Sequence, residues 1–342
     1  MTDELRFLAP APDSARSDAG RGDVSFSVCL PAYQAAAWIG VALDSVVGQT
    51  HRAHEIIVCD DGSTDDLDAA LEPYADRVKL LRQPNRGAAA ARNTAAAEAT
   101  GDFVAFLDPD DRFAPHRLER LAQLAQVRPD LDILTTDAYI EFDGGVIGRY
   151  YTGENRFVVD DQRQGILSAN FLFGLLAVRR TALASVGGFD ESFVHVEDWD
   201  CWIRLILAGA RAGLVDEPLA YYTLRQGSST SRRLGLLQGR QASLAKARAR
   251  HDLSDAERHV VQESFAEATR AMMLEELKEM LVLGAPEVRR RAWEVAASAD
   301  ASVGGRLKAL AAAAFPGAAG SLLRRRRRDA EGDPAAVLAV RQ

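Results

Sequence analysis

The stretch from Phe103 to Asp111, Phe-Val-Ala-Phe-Leu-Asp-Pro-Asp-Asp, constrains the fold of this chain more than any other. Its first five residues are apolar, several of them β-branched or aromatic, and predict a strand buried on both faces. The strand stops abruptly at three carboxylates, Asp108, Asp110 and Asp111, around one proline. Like charges so close repel, and each resists ionising beside the others. A hard divalent cation offsets that repulsion, and an oxygen-rich site suits Mg²⁺ or Mn²⁺. In parallel α/β sheets ligands bind beyond the carboxyl ends of the strands, where these acids fall. An acid before Pro115-His116-Arg117-Leu118 is also a helix start signal, but a cap needs one acid and not three. The cluster is therefore read as a metal site.

The rest of the chain repeats the same unit. Ser25–Leu30 is a β-rich run ended by Pro31-Ala32-Tyr33, and Trp38, Ile39, Ala42, Val46 and Val47 follow at helical spacing. A second strand, Glu55–Cys59, ends at Asp60-Asp61-Gly62-Ser63-Thr64-Asp65. A helix over Leu67–Tyr74, a strand over Val78–Leu81 and an alanine-rich helix over Ala88–Ala99 lead back to Phe103. Strands alternating with helices at this pitch predict βαβ units and a doubly wound parallel sheet. Beyond Asp111 a helix is expected over Arg117–Val127 and a strand over Leu131–Thr135. A hairpin around Asp143-Gly144-Gly145 and an apolar strand over Phe171–Val178 follow. After the Gly187-Gly188-Phe189-Asp190 turn come a helix over Trp199–Ala208 and a last strand over Pro218–Leu224.

Residues 1–22 lack periodicity and are expected to be a disordered leader before an α/β domain over 23–232. From about Leu234 the chain is helical in character, with an amphipathic stripe at Met273, Leu274, Leu277, Met280 and Leu281. This helical region is expected to run to 323, with a basic disordered tail over 324–342. The arginine run Arg324–Arg328 is either a solvated tail or an attachment to anionic headgroups, and it could equally serve dimerisation.

Composition removes several classes. A net charge of −8 argues against nucleic-acid binding by the whole molecule. The three cysteines, Cys29, Cys59 and Cys201, are odd in number and lack metal spacing, so free thiols of a reducing compartment are expected. The N-terminus carries acids and no secretory pattern, and the longest apolar runs fall short of a membrane span. A soluble cytoplasmic protein is expected, with contact at the inner face of the membrane if the arginine run attaches there.

Three acidic clusters thus follow strand-like runs: Asp60-Asp61, Asp108/Asp110/Asp111 and Glu197-Asp198. Asn85-Arg86-Gly87 opens the Ala88 helix, and an arginine with helix N-terminal amides makes an anion cradle. Together they describe a nucleotide-diphosphate substrate, a metal and a base. The ordered set Cys29–Tyr33, Asp60–Asp65, Asn85–Gly87 with Ala91-Arg92-Asn93, Leu107–Asp111, Gly187–Glu191 and Glu197–Asp200 resembles the inverting glycosyltransferase family 2, with its GT-A fold. The resemblance covers about residues 24–232.

The resemblance implies that Pro31, Ala32 and Tyr33 line the base pocket. Asp61 would accept a hydrogen bond from the base, which fits uracil, and Asp60 would hold the ribose or the loop. Arg86 would lie near the nucleotide and Arg92 would order the acidic loop. Asp108 would meet ribose and a metal-bound water, Asp110 would bind the cation directly, and Asp111 would be metal-linked or a helix cap. Asp198 is assigned as general base, because a carboxylate opposite the departing diphosphate must take the acceptor's proton. Glu197 would hold Asp198 or touch the acceptor; the plainer alternative is that both cap the Trp199 helix. Trp199 and Trp202 are either a sugar-stacking wall or core. Arg225 stands where the family commonly has a histidine, and Arg225 with Ser228 is expected to close over the pyrophosphate.

The expected activity is transfer of one sugar from a UDP-sugar or related donor to a hydroxyl-bearing glycan or lipid-linked acceptor. No Gln-x-x-Arg-Trp motif or membrane span is present, so processive synthesis coupled to export is not expected. A catalytically idle nucleotide- or glycan-binding relative is the alternative. A sugar-nucleotide pyrophosphorylase would instead need a Gly-rich basic loop after the first strand, where Pro31-Ala32-Tyr33-Gln34 stands.

Overall fold

The computed structural model describes residues 6–13, 23–153, 155–225, 233–298 and 301–329. The chain divides into two compact units, Met1–Leu224 and Arg225–Gln342. In the first, β1 (Phe7–Leu8) precedes β2 (Phe26–Ala32), α1 (Ile39–Val47), β3 (Glu55–Asp60), α2 (Leu67–Leu71) and β4 (Val78–Arg82). Then come α3 (Ala88–Ala97), β5 (Phe103–Phe106), β6 (Arg112–Phe113), α4 (Arg117–Val127), β7 (Ile133–Phe142) and β8 (Gly145–Arg149). The unit closes with α5 (Gln162–Ser168), β9 (Ala177–Arg179), α6 (Arg180–Ser185), α7 (Glu197–Leu207) and β10 (Ala212–Leu224).

These strands form one mixed sheet in the order β1-β10-β7-β9-β5-β2-β3-β4, with β6 paired to β10 and β8 to β7. The half built by β5, β2, β3 and β4 is parallel, as the βαβ alternation predicts. It turns mixed at β9, which runs antiparallel to both β5 and β7. Phe26, Val28 and Leu30 of β2 enter one core with Ile39 and Leu43 of α1 and Leu118 and Leu121 of α4. Cys29, Ile57 and Cys59, at alternate positions and so on the other face, are equally buried. α3 packs against β2 and β3 with Ala89, Ala90, Ala91 and Ala95 buried, small side chains that allow a close approach. The three cysteines are free and buried. Burial pushes the Cys59 thiol up to about 11 and Cys201 up to about 12, so neither ionises near neutral pH.

Four expectations need correction. Phe7–Leu8, inside the expected leader, adds to the sheet by pairing antiparallel with Val215 and Leu214. Only Ala177–Arg179 of the Phe171–Val178 run is strand; Phe171–Leu176 is buried irregular chain. The last strand begins at Ala212 rather than Pro218 and bulges around Pro218, which has no N–H to give a ladder. The start of the expected disordered tail is helical through Asp329.

The second unit comprises α8 (Arg233–Arg248), α9 (Asp255–Leu283), α10 (Val288–Ala297), α11 (Val303–Ala314) and α12 (Pro316–Asp329). Ser254 and Glu257 form a reciprocal capping box that starts α9. Leu277 and Leu281 of the expected stripe pack with Val288, Ala292, Val295, Ala309, Ala312 and Ala313. Met273, Leu274 and Met280 border that cluster. Among the described residues no helix is long and apolar enough to cross a membrane.

Candidate active site

The loops after β2 and β3 are laced together before any ligand is considered. Asp61 N–H donates to Ala32 O at 2.8 Å, and Ala36 N–H to Asp65 Oδ2 at 2.8 Å. Gln34 holds the same loop, accepting at Oε1 from Thr64 N–H (3.1 Å) and Asp65 N–H (3.0 Å). Asp60 Oδ1 accepts from Ser63 N–H at 2.8 Å. Asp61 is buried and takes three donors: Gln83 Nε2 (2.7 Å) and Arg86 N–H (2.8 Å) at Oδ1, and Gly87 N–H (2.8 Å) at Oδ2. It therefore shapes the Asn85-Arg86-Gly87 loop, a role the sequence did not announce. Gly62 is obligatory between them. It has φ +76°, and a Cβ there would lie 2.8 Å from Asn85 N, a backbone atom that cannot yield. Pro31 and Ala32 are buried, whereas Tyr33 is half-exposed at the carboxyl end of β2.

A second network joins α3, the end of β5 and the start of α7. Arg92 donates from Nη2 to Asp108 Oδ1 at 2.7 Å and from Nη1 to Glu197 Oε1 at 2.6 Å. Its Cζ lies 5.7 Å from the centre of the Phe189 ring. Burial alone would lower the Arg92 pKa, but the Asp108 and Glu197 charges outweigh it and hold the group above its ordinary value. The next residue, Asn93, grips the 187–191 turn: Nδ2 donates to Phe189 O and Oδ1 accepts from Phe189 N–H, both at 2.8 Å. Gly188 has φ +71°, and a Cβ on it would meet Asn93 Oδ1 at 2.5 Å. Arg86, expected near the nucleotide, pairs with Glu191 at the same turn. Sequence reasoning missed Asn93 and Glu191 as organisers, although both lie inside motifs it had singled out.

Glu197 and Asp198 open α7, whose N-cap is Val196 and which has no side-chain cap. Val196 has φ +65°, a left-handed conformation that a β-branched residue rarely adopts. Such strain concentrates at functional sites. Asp198 Oδ1 accepts from Trp199 N–H at 2.7 Å, and Oδ2 lies 3.6 Å from the place a Cβ on Gly174 would occupy. Oδ2 thus faces backbone that carries no side chain. Trp199 and Trp202 are core: both are buried, and Trp199 Nε1 donates to Ile166 O at 2.9 Å. They form no sugar-stacking wall.

Asp111 is not the cap of α4, whose N-cap position is His116. It is buried and accepts from Thr223 N–H at 2.8 Å, tying the acidic loop to β10. Arg112, next in sequence, pairs with Glu141 through both nitrogens and lies 3.8 Å over the Tyr221 ring. Asp108 and Asp110 are partly exposed beside it. Arg225 begins the second unit, and Ser228 lies outside the described residues. A cavity of about 460 Å³ lined by Asp130, Asp132, Arg179 and Ser185 lies elsewhere, at the start of β7 and the amino end of β5.

This architecture is found in solved glycosyltransferases. Residues 1–349 of TarS from S. aureus, in complex with UDP-GlcNAc, match 90% of this chain and 92% of that one with a TM-score of 0.62 at 20% identity. PcManGT, the mannosyltransferase of Pyrobaculum calidifontis in complex with GDP-Man and Mn²⁺, matches over 97% and 88% with a TM-score of 0.59 at 20% identity. The fold is GT-A. The glycosyl transferase family 2 model matches residues 27–187. The UDP-Glc:alpha-D-GlcNAc-diphosphoundecaprenol beta-1,3-glucosyltransferase WfgD of Escherichia coli is 30% identical over 217 residues, 61% of this chain and 81% of that protein. The chain spans 34% of the length of two rickettsial glycosyltransferases that it also matches. It belongs to glycosyltransferase family 2.

Proposed function

We propose that this chain is a metal-dependent, inverting glycosyltransferase that moves one sugar from a nucleotide-diphosphate sugar, a UDP-sugar first among them, to a hydroxyl acceptor in glycan biosynthesis. The observation that carries this reading is the Arg92 bridge. One largely buried guanidinium holds Asp108 at the end of β5 and Glu197 at the start of α7 within its own span, which supports a reading in which donor-side and acceptor-side carboxylates serve one site.

On the donor side, Pro31, Ala32 and Tyr33 would receive the base, with the half-exposed Tyr33 ring against it. Asp60 and Asp61 would complete that pocket, through the loop they shape and through any acceptor capacity left to the base. Asp108 and Asp110 would hold the divalent cation. Among the described residues no three His, Cys, Asp or Glu side chains converge as an all-protein cage. Two carboxylates suit a cation that shares its remaining positions with substrate phosphates and water. Once bound, such a cation offsets the charge that develops on the leaving diphosphate.

On the acceptor side, Asp198 takes the proton of the acceptor hydroxyl as its oxygen attacks the anomeric carbon and the bond to the diphosphate breaks. A single displacement of this kind inverts the anomeric centre. The Trp199 amide donates to Oδ1 of Asp198, and Oδ2 lies near Gly174. Glu197, clamped by Arg92, positions Asp198 from the preceding residue.

The names of the relatives support the choice of donor and acceptor. WfgD acts with UDP-Glc on a diphosphoundecaprenol-linked sugar, and TarS was captured with UDP-GlcNAc. PcManGT, captured with GDP-Man and Mn²⁺, makes GDP the competing donor nucleotide.

Calorimetric titration of UDP, GDP and dTDP, each with Mn²⁺ and with EDTA, tests the reading on the parent and on Asp110→Ala. Binding of one nucleotide that needs the metal and disappears in the variant is expected. Binding of none would overturn the assignment. With the nucleotide known, Asp198→Asn should keep nucleotide affinity and lose donor turnover. A parent that binds but never turns over any donor would be an idle relative instead.

A further inference from the structure

α11 carries two faces of different fates. Gly305, Ala309, Ala312 and Ala313 are buried, and the helix packs on α9 and α10. Val303, Leu307, Leu310 and Ala314 recur at i, i+4, i+7 and i+11, which aligns them on one stripe of a helix. That stripe faces solvent, with Val303 77% and Leu307 63% exposed. Phe315, which caps the end of α11, is 70% exposed, and Leu322 of α12 and Trp293 of α10 are exposed as well. Apolar side chains gathered on one outer face need a covering partner.

The charge around the stripe indicates which partner. Arg306 and Lys308 stand exposed on α11 itself. α12 packs on α9 and α11 and brings the arginine run, with Arg324 donating to Val282 O at 3.0 Å at the end of α9. Residues 303–329 contain seven arginines and lysines against one aspartate, in a chain whose net charge is −8. A second copy docking through the same face would press these cations against their own image, because a two-fold contact pairs a patch with itself. A nucleic acid would leave the apolar stripe uncovered. An apolar stripe flanked by cations is the pattern of helices that lie in a membrane interface.

We propose that this face docks the chain on an anionic lipid surface. α11 lies in the interface plane with Val303, Leu307 and Leu310 among the acyl chains. Arg306, Lys308 and Arg325 meet the headgroup phosphates. The second unit alone carries this inference, and it holds whatever sugar the first unit transfers.

Flotation of the whole protein with vesicles tests it without any turnover. Vesicles of phosphatidylcholine mixed with phosphatidylglycerol should carry the protein, vesicles of phosphatidylcholine alone should not, and added salt should release it. Leu307→Gln, checked for an unchanged helical circular-dichroism spectrum, should weaken binding at least about ten-fold. Arg325→Gln should weaken it about five-fold. Equal flotation with both vesicle types, or anionic binding that Leu307→Gln leaves intact, would overturn the proposal. So would failure to bind anionic vesicles at low salt. Lipid-free self-association that Leu307→Gln abolishes, seen by sedimentation velocity, would overturn it in favour of a second copy.

Discussion

Arg92 stands between two carboxylates that would repel each other without it, and its planar fork reaches both at once. A lysine there keeps the charge but offers one point donor for two partners. Arg92→Lys should therefore fold and still bind nucleotide, yet lose about 10²-fold in turnover as the start of α7 shifts against the end of β5. Steady-state kinetics with the donor found by titration would check this. An unchanged kcat would remove Arg92 from the machinery that positions the acids. At this scale the sequence was informative where a residue's chemistry is singular. The family resemblance implied that Arg92 orders the acidic loop, and Arg92 donates to Asp108 of that loop. It was uninformative where several backbone donors converge on one side chain. Nothing in Asp60-Asp61 says that Asp61 would be taken up by Gln83, Arg86 and Gly87, because those partners meet it only after the chain has folded. Trp199 and Trp202 were equally silent, since a tryptophan on an amphipathic helix reads alike as core and as sugar platform.

Among the elements, the parallel half of the sheet was legible because β3 and β5 are short apolar runs ended by acidic loops and β2 and β4 alternate with helices at the βαβ pitch. Phe171–Leu176 was not, because periodicity cannot separate a buried strand from buried irregular chain. Beside the bond that Leu176 O accepts from Phe106 N–H, side chains meet much of the segment's backbone need. Tyr151 Oη donates to Phe171 O at 3.0 Å and accepts from Phe173 N–H at 3.1 Å, and the buried Arg117 donates to Leu175 O. At the opposite, amino edge of the sheet, side chains again bind elements together. Glu55 of β3 accepts from Ser27 Oγ of β2 at 2.7 Å and from Thr100 N–H at 2.6 Å. Burial alone would raise the Glu55 carboxyl, but the hydrogen bonds from Thr100 and Ser27 outweigh it and hold the pKa below its ordinary value. A carboxyl depressed by folding adds stability that is complete above its unfolded value and fades as pH falls through the folded one. Glu55→Gln should then cost about 1 kcal/mol at pH 7. The difference from the parent should shrink as pH falls below about 4, the range in which glutamate protonates. Urea unfolding at a series of pH values would check this, and a pH-independent difference would assign the cost to packing instead.

Among the described residues, two of the hydrophobic clusters share no residue and lie in different units. One lies under β2, β3, β5, α1 and α4, and the other is gathered around Leu277, Leu281, Ala292 and Ala309. The break falls after Leu224, so everything assigned to the base, the cation and Asp198 belongs to the first unit. The sequence foreshadowed this division in its loss of β-branched runs after about Leu234. Its expectation of disorder from 324 failed over Arg324–Asp329, because five consecutive arginines disguise a helix whose Gly320 and Leu323 face α9; residues 330–342 lie outside the described residues. A ligand that binds only folded protein stabilises the unit that holds its site, by about 2.7 kcal/mol at a hundred times Kd. Calorimetric melting should accordingly resolve two transitions, and the donor nucleotide with Mn²⁺ should raise only one. For a unit of this size the rise is about 5–10 °C. Asp110→Ala should abolish the shift while leaving both transitions in place, because it removes a proposed cation ligand at the mouth of the sheet and no part of either core. A single transition moved as one by nucleotide would mean that the two units melt together, and that folding of the helical unit is coupled to occupancy of the donor site.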